Sequence, residues 1–155
     1  MQIIKPLMIV CVLAISGCGE ATTPAGPPAG QSSTSEPITG RWYNQSQLTL
    51  GTRVFAENCA TCHGSQAEGT VSDWRQRLDD GSFPPPPLNG SAHAWHHPLS
   101  VLLQVIDYGG ADIGGKMPAF ESVLNDEQKL AAISYFQSFW TDDIYGQWMQ
   151  MGGEN

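Results

Sequence analysis

Cys59-Ala60-Thr61-Cys62-His63 places two thiols three positions apart with an imidazole directly behind the second. This is the C-x-x-C-H spacing of covalent haem attachment. In that chemistry each thiol adds across a porphyrin vinyl group to give a thioether, and the adjoining imidazole faces the iron. One helical turn must offer both sulfurs to one porphyrin edge and swing the ring under the metal, which is why the spacing is tight. Two other uses of such residues compete. A redox dithiol usually opens a helix in a strand–helix–strand setting, and no strand-rich pattern surrounds Cys59. A zinc site needs four ligands; with no second cysteine pair in the mature chain, His93, His96 or His97 would have to complete the set.

The other two cysteines are accounted for at the start of the 155-residue chain. Lys5 is the only charge before an apolar run from Leu7 to Ile15, too short to span a bilayer and readable as a secretory leader. It closes on Ile15-Ser16-Gly17-Cys18, which resembles the bacterial lipobox, where the cysteine is lipidated and becomes the first residue. Residues 1–17 are therefore expected to be a lipoprotein signal peptide and Cys18 the lipid-bearing residue. An ordinary leader with an incidental Cys18 is the alternative. Several acyl chains would anchor stably where one binds marginally. Cys11 leaves with the leader, so no cysteine remains for a disulfide. Export agrees with the haem motif, because bacteria attach covalent haem outside the cytoplasmic membrane.

Residues 18–40 are rich in Ala, Thr, Pro, Gly and Ser and have almost no large apolar side chain. They are expected to be a flexible linker with a mean reach of roughly 25 Å. Residues 41–155 are expected to form one small domain, in which burial of an apolar haem supplements a limited core.

Within that domain the pattern is of short helices and long loops. A first helix runs from about Ser46 to Asn58, with capping-box spacing at Asn44 and Gln47 and with Leu48, Gly51 and Phe55 on one face. It delivers Cys59. A second starts near Pro98 and carries Leu99, Leu102, Leu103 and Ile106 before Gly109-Gly110 stops it. A third is capped by Asn125 with Gln128 three residues on, and its stripe is Leu130, Ile133 and Phe136 with Ala132. A last short turn is expected over 144–149.

Gly51 and Phe55 before C-x-x-C-H, and Tyr135 on the late helix, resemble the class I cytochrome c family. The resemblance covers about Leu48 to Trp140; the Thr70–Phe83 stretch and the C-terminal tail fall outside it. It implies an all-α cytochrome c fold in which the terminal helices cross closely at the glycine. It implies one covalently bound haem c per chain, held by Cys59 and Cys62, with His63 as proximal iron ligand. It further implies a proline carbonyl holding the His63 Nδ1–H, and Pro86-Pro87-Leu88-Asn89-Gly90 fits the family's Pro-x-Leu-x-Gly pattern, which singles out Pro86. The distal ligand it implies is Met117, in the glycine-rich loop Gly114-Gly115-Lys116-Met117-Pro118. Met149 and Met151 lie after the last clear helix and are poorer candidates. His93, His96 and His97 around Trp95 read either as a surface turn leading into a helix or as rival iron or metal ligands.

Ligation by His and Met fills both axial positions and leaves no place for a small-molecule substrate. The expected function is a membrane-tethered monohaem carrier moving single electrons between redox proteins outside the cytoplasm, and not an enzyme. Two alternatives stand beside it: a catalytic or gas-binding haem with a labile sixth site, and a fixed electron-entry subunit of a larger oxidoreductase. The expected location is a membrane-anchored lipoprotein facing the periplasm or the outer cell surface. A net charge of −8 argues against nucleic-acid binding and favours redox partners with basic docking patches. Lys116 beside Met117 is either such a contact or a solvated lysine.

Overall fold

The computed structural model describes residues 36–155. The expected signal peptide, the lipidation site at Cys18 and the linker as far as residue 35 lie outside the described residues. The remaining expected linker residues, 36–40, already join the domain. Ile38 N–H donates to Tyr43 O at 2.9 Å, Pro37 and Asn44 form an isolated antiparallel bridge, and Ile38 packs on the core.

Among the described residues five helices make up the regular structure: α1 (Gln45–Asn58), α2 (Ala60–His63), α3 (Leu99–Tyr108), α4 (Asp126–Gln137) and α5 (Asp142–Gln150). Short 3-10 turns occupy Ala94–His96 and Ala111–Ile113. No strand occurs among the described residues, and the fold is the all-α cytochrome c type. Helices α1 and α4 each begin with a reciprocal capping box, Asn44 with Gln47 and Asn125 with Gln128. Each box satisfies two backbone N–H groups that the first helical turn leaves unpaired. Pro98 is the N-cap of α3 rather than its first residue, and Gly109, at φ +80°, ends it.

The packing of α1 on α4 turns on Gly51. A Cβ there would lie 2.0 Å from Ala131 O, so the two backbones meet where only hydrogen fits. Next to this contact the Phe55 and Tyr135 rings lie 4.9 Å apart and tilted. The main core gathers Tyr43, Phe55, Leu102, Ile133, Phe136, Trp140, Tyr145 and Trp148. The C-terminal segment contributes more than a loose turn. Thr141 caps α5, whose Tyr145 and Trp148 are both buried. Trp148 Nε1–H donates to His97 O at 2.8 Å, and the Tyr145 hydroxyl accepts from Trp42 N–H at 2.9 Å. Lys129 is buried on α4 and pairs with Asp107 at the end of α3 at 2.6 Å. No helix among the described residues is long and apolar enough to cross a membrane.

Candidate haem site

Cys59 sits at the junction of α1 and α2. Its N–H closes α1 on Phe55 O, and its own carbonyl accepts from Cys62 N–H and His63 N–H at 3.1 and 2.9 Å. The helix therefore breaks and restarts within the motif, and Gly64, at φ +80°, ends the second piece. Both cysteines are free thiols, Cys59 half-buried and Cys62 exposed. Burial pushes the Cys59 thiol up to about 11, and the neighbouring Cys62 adds to the rise. The Cys59 sulfur is thus kept protonated, and neither thiol is tied up in a disulfide.

His63 is only 8 % exposed. Its Nδ1 lies 2.9 Å from Pro86 O. A carbonyl only accepts, so Nδ1 carries the proton and Nε2 is left with a bare lone pair, the form a metal takes. Burial lowers the ring's pKa and outweighs the Pro86 hydrogen bond, which raises it. Both effects serve ligation: burial keeps the imidazole neutral, and Pro86 selects the tautomer.

The loop after His63 braces this arrangement. Gly69 N–H donates to His63 O at 2.6 Å, and the Tyr135 hydroxyl donates to Ser65 O at 2.7 Å. Ala67, fully buried and at φ +58°, accepts from both Leu88 and Asn89 N–H through its carbonyl. Trp140 Nε1–H donates to Leu88 O at 2.7 Å. The proline run Pro84 to Pro87 is thereby pinned at its far end, with Pro84 and Pro87 buried.

Met117 is half-buried in the loop that follows α3. That loop closes on itself. Gly110 N–H donates to Met117 O at 3.0 Å, Gly115 N–H to Gly110 O at 2.8 Å, and Phe120 N–H returns to Ile106 O at 2.9 Å. Phe83, just before the proline run, donates its N–H to Gly114 O at 2.9 Å. One continuous stretch, Phe83 to Leu88, therefore touches both the loop bearing Met117 and the ring of His63.

The residues present fit a haem. The donor set comprises two unpaired thiols, an imidazole nitrogen with its tautomer fixed, and a thioether on a glycine-rich loop. An apolar wall goes with it. Helix α3 is rich in Leu, Val and Ile, yet Leu102 is its only buried residue. Leu99, Leu103 and Ile106 remain half-buried against the core together with Leu88 and Trp95, a surface suited to a large apolar disc.

The histidines after Gly90 go elsewhere. His93 stacks on Trp74 at 4.8 Å, His96 meets the Trp95 ring edge at 3.9 Å, and His97 lies beside His93 and gives its carbonyl to Trp148. Among the described residues no three His, Cys, Asp or Glu side chains converge as a metal site. The zinc set and a side metal site at these histidines are therefore not assembled. Met149 and Met151 are exposed on and after α5. Lys116 pairs with Asp80 instead of standing free in solvent. Sequence reasoning missed this pairing and the grip of Phe83 on Gly114, because neither has a local signature.

The family description "Cytochrome C oxidase, cbb3-type, subunit III" matches residues 46–136. The chain is similar to the cbb3-type cytochrome c oxidase subunit CcoP of Rhodobacter capsulatus, at 32% identity over 108 residues, 65% of this chain and 32% of the relative. It is also similar to the cbb3-type cytochrome c oxidase subunit FixP of Sinorhizobium medicae, at 30% identity over 112 residues, 68% of this chain and 35% of the relative. The chain thus spans about a third of the length of these curated relatives. No solved structure gives a significant match.

Proposed function

Because the chain belongs to the cbb3-type cytochrome c oxidase subunit III family, we propose that it is a one-electron carrier with a single haem c and His63/Met117 axial ligation. The observation that carries this reading is the hydrogen bond from His63 Nδ1 to Pro86 O at 2.9 Å, which presents Nε2 as a ready ligand. Bound haem would supply an iron that alternates between ferrous and ferric with little change in geometry, and a thioether ligand raises its potential. The chain's own residues do the rest. Cys59 and Cys62 would hold the porphyrin edge through two thioether links. His63 and Met117 would both ligate the iron and so leave no coordination site for a substrate. Leu99, Leu103 and Ile106 would line an apolar face of the group and keep water from it.

Met117→Ala tests the ligation. The methionine–iron charge-transfer band of the ferric protein should disappear, and the ferrous protein should bind carbon monoxide. An unchanged spectrum removes Met117 from the site. If the unsubstituted protein is high-spin at rest, the carrier reading gives way to a catalytic or gas-binding haem.

The N-terminal sequence supports a tether. Cys18, as lipidated first residue, would hold the domain at a membrane surface outside the cytoplasm on a Pro/Gly/Ser-rich linker. Cys18→Ser should release the domain from membranes with its haem intact; retention in the membrane fraction contradicts lipid anchoring. A second reading, a fixed electron-entry subunit of an oxidase, is favoured by the relatives, which are named as oxidase subunits. Stable co-purification with an oxidase core in mild detergent selects it over a free carrier.

A further inference from the structure

The stretch from Thr70 to Phe83 fell outside the sequence resemblance, and its contacts converge on one place. Phe83 N–H donates to Gly114 O at 2.9 Å. The Arg77 guanidinium lies 3.9 Å over the Phe83 ring and donates to Gly81 O at 2.5 Å. Gly114, left-handed at φ +79°, sits directly against this pair: a Cβ there would be 3.6 Å from both Arg77 Nη1 and the Phe83 ring. Asp80 gives Oδ1 to the N–H and hydroxyl of Ser82 and turns Oδ2 to Lys116, the neighbour of Met117. The stretch is itself a closed turn, with Leu78 N–H on Ser82 O at 2.9 Å and Gly81 N–H on Leu78 O at 2.8 Å.

Beyond its own internal hydrogen bonds, the loop it grips has little to hold it. Ala111, Asp112 and Ile113 are exposed, Ile113 at 69 %. Four of residues 109–117 are glycine, which is entropically costly to hold in one conformation. A short, exposed, glycine-rich segment opens locally at small cost unless an outside group holds it.

We propose that residues 77–83 are a strap that keeps the Met117 loop closed, with Arg77 and Phe83 as its main positioning residues and Asp80 as a minor one. The proposal rests on Met117 being an iron ligand. The strap continues directly into the proline run that holds His63 through Pro86, so one segment sets the position of both candidate ligands. Its grip determines how often Met117 leaves the iron and hence how far the sixth position is open to other molecules. The Asp80–Lys116 pair is exposed and so contributes least.

The test uses the haem-loaded, full-length protein and two readouts: hydrogen exchange of the 109–117 peptide, and the rate of carbon monoxide binding to the ferrous form. Arg77→Ala and Phe83→Pro, which removes the N–H donor to Gly114, should each raise both by roughly tenfold. Asp80→Asn should raise them by no more than about twofold. Arg77→Lys should restore most of the protection lost in Arg77→Ala, and Val71→Ala, in the same stretch, should change neither readout. Exchange over 45–58 and 126–137 must stay at the wild-type level, which separates loop opening from general destabilisation; Arg77→Ala keeps the backbone intact should Phe83→Pro fold poorly. Unchanged exchange of the loop in the variants overturns the strap. Faster exchange with unchanged carbon monoxide rates, in a protein whose Met117→Ala variant binds carbon monoxide readily, overturns it too. If Met117→Ala leaves the spectrum unchanged, the ligation reading fails by itself, and the exchange data still decide whether the strap holds the loop.

Discussion

Around His63 the backbone is fixed by groups drawn from several separate parts of the chain. Pro86 O holds the ring, Tyr135 on α4 holds Ser65, Gly69 holds the His63 carbonyl, and Leu88 and Asn89 hold Ala67. Around Met117 most bonds are internal to one loop, and the grip from outside comes from Phe83 and Arg77, with a smaller share from Asp80 on Lys116. The first region is crossed by long-range contacts from buried elements; the second is a glycine-rich arch on the surface. An imidazole ligand set in the first region would stay fixed while the protein breathes. A thioether in the second would be held only as firmly as its strap allows. The two sides of one site therefore draw on different sources of rigidity, tertiary packing for one and a local clasp for the other.

The largest test of this contrast strikes the packing of α1, which leads into the His63 motif, on α4. Gly51→Ala forces a Cβ against Ala131 O and should cost about 3 kcal/mol or more, since backbone cannot move aside as a side chain can. The denaturant midpoint should fall sharply, and so should the fraction of chain recovered with haem. A midpoint near wild type would mean that α1 and α4 separate without loss.

A smaller effect is expected where α4 meets the end of α3, at the entry to the Met117 loop. The close pairing with Asp107, and secondarily the hydrogen bond to Asp126, raises the Lys129 pKa above its ordinary 10.5. A cation whose folded pKa is raised stabilises the fold fully below its unfolded pKa and ceases to do so as pH climbs through the folded value. Denaturant midpoints of the wild type should therefore drop above about pH 10.5, whereas those of Lys129→Met should fall less steeply across the same window. Parallel curves would show that the pair does not contribute.

The smallest effect is expected at Pro86 itself. Pro86→Ala keeps the carbonyl that accepts from His63 and loses only a constraint on the chain, so stability should change by less than about 1 kcal/mol. The axial-ligand spectrum should not move. A shifted spectrum would show that the ring, and not only its carbonyl, sets the imidazole.

Much of the His63 side was legible beforehand because its signals are local in the chain. The capping boxes at Asn44 and Asn125 form as their spacing predicts, and Gly51, Phe55 and Tyr135 meet where the resemblance placed them. Pro86 was singled out from a five-residue pattern, and its carbonyl lies on His63. The segment after Thr141 was harder to read. Asp142-Asp143-Ile144-Tyr145-Gly146-Gln147-Trp148 looks polar, yet Trp148 is fully buried, because its indole N–H finds His97 O some fifty positions away. Lys129 was hidden for a similar reason: a lysine reads as surface until a carboxylate from another helix accompanies it inward.

By itself the sequence determined the chemistry on offer: two thiols and an imidazole on one helical turn, a methionine among glycines, and helices whose ends and faces follow from capping and periodicity. These are properties of neighbouring residues, and short-range sterics and hydrogen bonding settle them. Only the tertiary structure decided which backbone atoms hold each donor: Ala67 under the proline run, Tyr135 on Ser65, Phe83 on Gly114. Such pairings join groups far apart in the chain, and they form because burial makes an unpaired N–H or carbonyl costly wherever the fold happens to bring one.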